Sequence, residues 1–213
     1  MERSKLQRPI TVTDLYRRRM NVLPFRGRYA DSFGQPEVKG SWLIWGRSSE
    51  GKTRFALQLA RYLTQFGKVL FNSLEEGASA SMRTGFKSVE MEQVSRKIHL
   101  LDQEPVADLT ERLRLRNSAL FVIIDSIQYT FMDISDYKQL LNDFPGKLFI
   151  FTSHAKGKEP KGSLAESVWF DSNVKIWVEG YRAFPKSRYG GEQPFDIWPE
   201  RAARYWADNA KND

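Results

Sequence analysis

The segment 46–53 constrains the fold of this chain more than any other. It reads Gly-Arg-Ser-Ser-Glu-Gly-Lys-Thr and fits the pattern G-x-x-x-x-G-K-[ST] in full. The apolar run 42–45 before it predicts a short buried strand, and apolar residues at helical spacing in 54–66 predict a helix after it. A glycine-rich turn in this position directs backbone N–H groups and a helix amino terminus at one site. Such a site binds phosphate oxygens.

Each residue of this segment has an expected place around a nucleoside triphosphate. Lys52 is expected to reach the β- and γ-phosphates, and the Thr53 hydroxyl to ligate Mg²⁺. The predicted nucleotide-binding residues are Gly46, Arg47, Ser48, Ser49, Glu50, Gly51, Lys52, Thr53 and Arg54. The alternative is a chance match in a glycine-containing turn, and the flanking strand and helix argue against it.

From residue 41 onward the chain alternates apolar strand-like runs with helical segments. Further strands are predicted at 68–72, 98–101, 120–124, 147–152 and 174–178. Apolar strands in repeated βα units predict an α/β fold, with a mostly parallel central sheet flanked by helices on both faces. The last third has short runs separated by turns. It therefore predicts antiparallel strands at the C-terminal end and no long helix.

Residues 1–40 are polar and basic and are predicted to form an N-terminal arm or linker. A helical segment begins at Thr13 or Asp14 and ends in three arginines. The stretch 23–40 carries two prolines and three glycines, as a connector does. The alternative is an arm that docks on a neighbouring subunit. The core is predicted at 41–207, and 208–213 form a tail.

Composition narrows the class of partner and of site. The chain has 33 Lys and Arg against 26 Asp and Glu, a net charge of +7 that favours an anionic partner such as nucleic acid. A basic surface that serves only solubility is the alternative. The absence of cysteine excludes disulfides, thiolate zinc sites and cysteine nucleophiles. There is no signal-peptide-like start and no membrane-length apolar run, so a cytoplasmic location is expected.

Three acidic residues follow predicted strands at the edge where 46–53 lies. Asp125 ends an apolar strand, where it can hold the hydration shell of Mg²⁺, although a helix cap is the alternative. Glu75 and Glu76 follow another strand and are candidates to orient or deprotonate an attacking water, with Glu75 favoured as the base. Alternatively, both belong to the start of the next helix, where acidic residues are favoured.

Together these segments resemble the RecA-type ATPase superfamily, above all its RadA (Sms), DnaB-type helicase and KaiC groups. The resemblance covers roughly residues 40–200, through 46–53, Ser-Leu-Glu-Glu at 73–76 and Val-Ile-Ile-Asp-Ser-Ile-Gln at 122–128. It implies a RecA-like P-loop fold that binds ATP with Mg²⁺ and hydrolyses it. It also implies that His154, at the end of the next strand, senses the γ-phosphate. A lone structural histidine is the alternative.

The segment 186–190, Lys-Ser-Arg-Tyr-Gly, resembles the Lys-x-Arg-aromatic-Gly element of RadA. In these groups the basic pair reaches the nucleotide of the adjacent subunit. The resemblance therefore implies a homo-oligomer, such as a hexameric ring, in which Lys186 and Arg188 act in trans on the transferring phosphoryl group. Two exposed charges on a strand are the alternative. The cysteine zinc module of RadA has no counterpart here.

The segment after His154 holds three lysines, Lys156, Lys158 and Lys161. In RecA-like rings the corresponding loop grips DNA, so the resemblance implies a contact with DNA, single-stranded above all. A solvated loop is the alternative, and the aromatic residues of 128–132 either stack on a base or pack at a subunit interface. A DNA-stimulated ATPase of helicase or recombination-accessory type is favoured. A KaiC-like ATPase acting on a protein is the alternative. No arginine-rich lid supports a small-molecule kinase, and a non-hydrolysing module leaves the two glutamates idle.

Overall fold

The computed structural model describes residues 8–210, and these form a nine-stranded sheet with helices around it. The strands are β1 (Gly40–Gly46), β2 (Val69–Ser73), β3 (Ile98–Asp102), β4 (Phe121–Asp125), β5 (Leu148–Lys156), β6 (Glu159–Pro160), β7 (Val174–Glu179), β8 (Arg182–Ser187) and β9 (Phe195–Asp196). The helices are α1 (Val12–Arg17), α2 (Arg28–Phe33), α3 (Lys52–Leu63), α4 (Ala80–Ser88), α5 (Val106–Arg114), α6 (Ile134–Asp143), α7 (Ser163–Asp171) and α8 (Pro199–Asn209). Two 3₁₀ turns occupy Met91–Val94 and Ile127–Tyr129.

The sheet is mostly parallel. Its order is β3-β2-β4-β5-β1-β7-β8-β9, and the pairs from β3 to β7 are all parallel. The pairs β7–β8 and β8–β9 are antiparallel, and β6 pairs with β5 outside this path. The prediction of an α/β fold with antiparallel strands at the C-terminal end is confirmed.

Helices cover both faces of the sheet because its central strands are apolar on both sides. On one face Phe55 and Leu59 of α3 pack in a cluster with Trp42 of β1. On the other face, residues of α5, α6 and α7 pack in a second cluster with Phe149 of β5. Tyr137 of α6 belongs to this cluster. Among residues 8–210, no helix is long and apolar enough to cross a bilayer.

Residues 23–38 pack on the core, which corrects their interpretation as a connector. Leu23, Phe25 and Phe33 are buried in the same cluster as α3, and the Phe25 ring lies 5.0 Å from that of Tyr62. These apolar residues provide the anchors, while prolines and glycines provide the turns between them. Residues 1–7 of the predicted arm and 211–213 of the predicted tail lie outside the described residues.

The helical segment predicted near residue 13 is present as α1. It begins after Thr11, whose side chain accepts the backbone N–H of Asp14, and no residue of α1 is buried. At the other end of the chain, α8 has 11 residues, so the prediction of no long helix there is wrong. Only Ala202 of α8 is buried, although Ala202, Tyr205 and Trp206 recur at the spacing of an amphipathic helix.

Strand β5 runs four residues beyond its predicted end and turns into a hairpin. Ala155 pairs with Pro160 and Lys156 with Glu159, and α7 begins soon after. The predicted loop is therefore a hairpin followed by the first turn of α7. We call residues 155–162 the 155–162 hairpin. Gly157, at φ 67°, adopts the left-handed conformation that the turn requires.

Candidate functional site

The 46–53 loop joins β1 to α3 at the carboxyl edge of the parallel strands, and its neighbours fix its shape. A Cβ atom on Gly46 would lie 2.2 Å from the carbonyl oxygen of Val178, so only glycine fits there. Gly51 caps α3 with a φ of 103°. The Glu50 carboxylate accepts the backbone N–H of Gly180 at 2.5 Å, which ties the loop to the turn after β7.

A cavity of about 740 Å³ opens beside this loop. Its lining includes Ser48, Ser49, Gly51, Lys52, Thr53, Arg54, Glu75, Glu76, Asp125, His154, Tyr181 and Trp198. Residues from six separate parts of the chain therefore meet around one space. Most of the residues that the sequence singled out as candidates for nucleotide, metal or acid–base chemistry are among them.

Lys52 lies inside this cavity as a cation without an ion-pair partner among the described residues. Its Nζ donates a hydrogen bond to the Arg47 carbonyl oxygen at 2.8 Å, which closes the loop on itself. Burial lowers the pKa of Lys52, and the carboxylates of Asp125, Glu75 and Glu50 oppose that shift. An anion bound in the cavity would meet a partly desolvated ammonium group.

Asp125 ends β4 and is only 4% exposed. Burial raises its pKa to about 6, and the charge of Glu75 adds to this, while hydrogen bonds from the Thr152 and Thr53 hydroxyls lower it. The contact with Thr53 brings a carboxylate and a hydroxyl together at the end of the 46–53 loop. Within residues 8–210 no group of three or more acidic or histidine side chains is arranged to hold a metal ion. A cation bound here would be coordinated by Asp125 and Thr53, and its other ligands would come from a bound molecule.

The side chains of Glu75 and His154 are in contact at the cavity, with 3.4 Å between Oε2 of Glu75 and Nε2 of His154. His154 was expected at the end of this strand and lies within β5, two residues before its last residue. Helix α4 begins at Ala80 and is capped by Ser79. Glu75 and Glu76 therefore precede the helix cap and do not occupy its first turn, which removes the helix-start interpretation.

Gln128 connects the cavity to the 155–162 hairpin, a role that the sequence did not indicate. Its Nε2 donates to Oγ of Ser153 at 2.7 Å and to the Lys161 carbonyl oxygen at 2.9 Å. Its Oε1 accepts the backbone N–H of His154 at 3.2 Å. One amide therefore touches the strand that carries His154 and the end of the hairpin.

Aromatic residues of the C-terminal third complete the cavity, and no sequence motif indicated them. Trp198 lies under two guanidinium groups, with the Arg54 and Arg201 carbons 4.3 and 4.0 Å from its ring centroid. Tyr181 lies edge-on to Trp198, at 6.4 Å between ring centroids. These contacts join residues far apart in the chain, so no local pattern could reveal them.

Lys186 and Arg188 lie away from the cavity of their own chain. Lys186 pairs with Lys175 near the start of β7, whereas the 46–53 loop lies at the end of that strand. Arg188 donates from Nη1 to Oδ1 of Asn173 at 3.2 Å. The lysines predicted to contact DNA, Lys156, Lys158 and Lys161, are all exposed on the hairpin.

No protein-family model matches this chain, and no curated protein matches it either. Function is therefore inferred from the residues around the cavity and from their geometry.

Proposed function

We propose that this chain is a RecA-like P-loop NTPase that binds ATP with Mg²⁺ and hydrolyses it. The observation that carries the proposal is the meeting of three features at one cavity. These are the 46–53 loop at the start of a helix, the half-buried cation of Lys52, and the buried carboxylate of Asp125 against Thr53. Each has a separate use in phosphoryl transfer, and all three lie at the carboxyl edge where ligands bind in parallel sheets.

The loop and the amino end of α3 hold the phosphates through backbone N–H groups, and Lys52 holds the β- and γ-phosphates. Thr53 and Asp125 are the residues that would hold Mg²⁺, which neutralises charge on the phosphates when bound. The pKa of Asp125, raised to about 6 by burial, supports this role, because a nearby cation would compensate the buried charge.

Glu75 is the proposed base. Its carboxylate lies at the same cavity as Lys52, 3.4 Å from the His154 imidazole, and can accept a proton from a water in the cavity. Glu76 lines the cavity beside it and is the second candidate. His154 is joined to Gln128, so a change at the γ-phosphate position has a path to the 155–162 hairpin.

The proposed active form is a homo-oligomer acting on single-stranded DNA. Lys186 and Arg188 cannot serve the cavity of their own chain, and their position supports a contact with the nucleotide of a second copy. The exposed hairpin lysines support a phosphate-backbone contact. Lys186→Ala and Arg188→Ala should retain ATP binding and lose most hydrolysis. Unchanged hydrolysis in both variants would contradict the trans role.

The test of this function is phosphate release from ATP, with and without an oligothymidylate, at about 50 and about 200 mM salt. We expect turnover that DNA stimulates at low salt, and no turnover in Lys52→Ala. Glu75→Gln should bind ATP and hydrolyse it at least about 100-fold more slowly, since general-base catalysis contributes about that much. Turnover that ignores DNA would indicate a KaiC-like ATPase with a protein partner. Turnover that survives Lys52→Ala would refute the proposed site.

A further inference from the structure

Strands β7 and β8 present a half-exposed face on the side away from α3. Residues of β7 alternate between buried and half-buried, and the buried set, which includes Ile176, packs with α3. The alternate residues, among them Lys175 and Trp177, point to the opposite face. On β8 the same alternation puts Phe184 and Lys186 beside them. We call these four residues the β7–β8 face.

Cross-strand pairing arranges this face in rows. Lys175 lies opposite Lys186, and Trp177 lies opposite Phe184, with about 7 Å between successive rows. Like charges directly opposite each other destabilise a sheet. Neither lysine forms an ion pair with any of the residues described. Burial lowers the pKa of Lys175, and the charges of Arg188 and Lys186 lower it further. Within residues 8–210 the row of cations therefore has no anion paired with it.

Aromatic side chains from two helices flank the rows. The Nζ atom of Lys175 lies 4.5 Å from the ring centroid of Trp169, and the Trp206 ring lies edge-on to Phe184 at 5.6 Å. The indole N–H groups of both tryptophans are buried without a hydrogen-bond partner in the described part of the chain. Phe170, next to Trp169, is 70% exposed. The face thus combines aromatic rings, unpaired cations and unused donors.

The face is continuous with the 155–162 hairpin. The indole Nε1 of Trp45 donates to the Lys158 carbonyl oxygen at 2.9 Å, and the Trp45 ring lies 5.8 Å from that of Trp177. A strand that contacts the hairpin lysines can therefore pass directly onto the aromatic row. In the next row Glu179 lies opposite Arg182, and their opposite charges add no net charge to the face.

We propose that the β7–β8 face binds single-stranded nucleic acid, with bases stacked on Trp177 and Phe184 and a phosphate held by Lys175, while Lys186 at the end of the face keeps its proposed contact with a second copy. Unpaired cations favour an anionic partner, and half-exposed rings next to them favour one with flat apolar surfaces. A single strand supplies both along its length. The inference rests on the nucleic-acid part of the proposed function and extends the contact from the hairpin across the sheet. Lys186 also belongs to the proposed intersubunit pair, so the test relies on Lys175 and Phe184.

The test is binding of a labelled oligothymidylate without ATP, followed by anisotropy and by quenching of tryptophan fluorescence. Phe184→Ala should weaken binding by about 5- to 100-fold, the effect of losing one base stack. Phe184→Leu keeps an apolar side chain and should bind as weakly as the alanine variant. Lys175→Gln should reduce the slope of log affinity against log salt by about 0.7, as one lost phosphate contact does on a single strand. Lys97→Gln, at the β3 end of the sheet, is the matched control and should bind like the unaltered protein.

Separate outcomes distinguish this inference from the proposed function. Phe184 and Lys175 variants that bind like the unaltered protein, while Lys158→Gln binds less tightly, would overturn the β7–β8 face and leave the hairpin contact intact. Loss of binding together with loss of oligomer mass in the absence of oligothymidylate would assign the face to a second copy and overturn the inference. No binding by the unaltered protein would overturn both, and the ATPase measurement is independent of that result.

Discussion

Replacing Asp125 with asparagine is expected to stabilise the protein in the absence of nucleotide at neutral and basic pH. Asp125 is 4% exposed, and its pKa is raised from 3.8 to about 6, first by burial and then by the charge of Glu75. A carboxyl whose pKa is raised on folding is favoured when protonated. Its contribution is therefore fully present below pH 3.8 and is lost as pH rises through 6. Asparagine keeps an oxygen for the Thr152 hydroxyl and carries no charge.

The magnitude follows from the size of the shift. Two pKa units correspond to about 3 kcal/mol of folding free energy, all of it lost by the unaltered protein at pH 8 and about half at pH 5. Asp125→Asn should thus be more stable by up to about 3 kcal/mol at pH 8, less the lost charge-assisted hydrogen bonds. For a chain of this size each kcal/mol shifts the melting temperature by about 2–4 °C.

The assay is thermal and urea unfolding of both proteins between pH 5 and 8 without nucleotide. Asp108→Asn, an exposed substitution on α5, is the matched control and should show no gain that grows with pH. The stabilised variant should also lose Mg²⁺-dependent ATP hydrolysis. A stability difference that is equal at pH 5 and pH 8, or a variant less stable at pH 8, would refute the argument from burial.

Three further substitutions test separate contacts. Tyr137→Phe removes the hydroxyl that donates to Asp171 at 2.9 Å and should cost about 1–2 kcal/mol in urea unfolding, so an unchanged unfolding midpoint would contradict it. Gln128→Ala should keep basal ATP turnover and lose its stimulation by DNA, and equal stimulation would exclude this coupling path. Gly46→Ala forces a Cβ atom to within 2.2 Å of the Val178 carbonyl oxygen, so ATP binding and melting temperature should both fall. Wild-type values of both would show that the loop has room for a side chain.

The central parallel strands could be predicted from sequence because they are buried on both faces. A continuous apolar run such as the one before Asp125 has few other stable environments in a chain of this composition. The same argument placed β2 to within a residue at each end, and the short apolar run of the edge strand β3 was placed as closely. Residues 23–38 were misinterpreted because turn residues dominate their composition. Single aromatic residues between the turns, Phe25 and Phe33, carry the packing.

The site could be predicted only where it is local in sequence. The loop, Lys52 and Thr53 are consecutive or nearly so, and the edge of a parallel sheet brings Asp125 and Glu75 to them. Contacts that depend on tertiary packing leave no pattern in the local sequence. Trp198, the residue before α8, lines the cavity, and a tryptophan before a proline has no pattern that indicates this.

Titration of MgATP into the protein by calorimetry tests the central claim most directly, because binding does not depend on DNA, assembly or the base. We expect saturable binding to the unaltered protein with one site per chain. Lys52→Ala should abolish most of this binding, and Thr53→Ala should weaken it only when Mg²⁺ is present. Lys97→Gln, remote from the cavity, should bind normally. Absence of binding by the unaltered protein, or equal binding by Lys52→Ala, would contradict the assignment of the 46–53 loop to a nucleoside triphosphate.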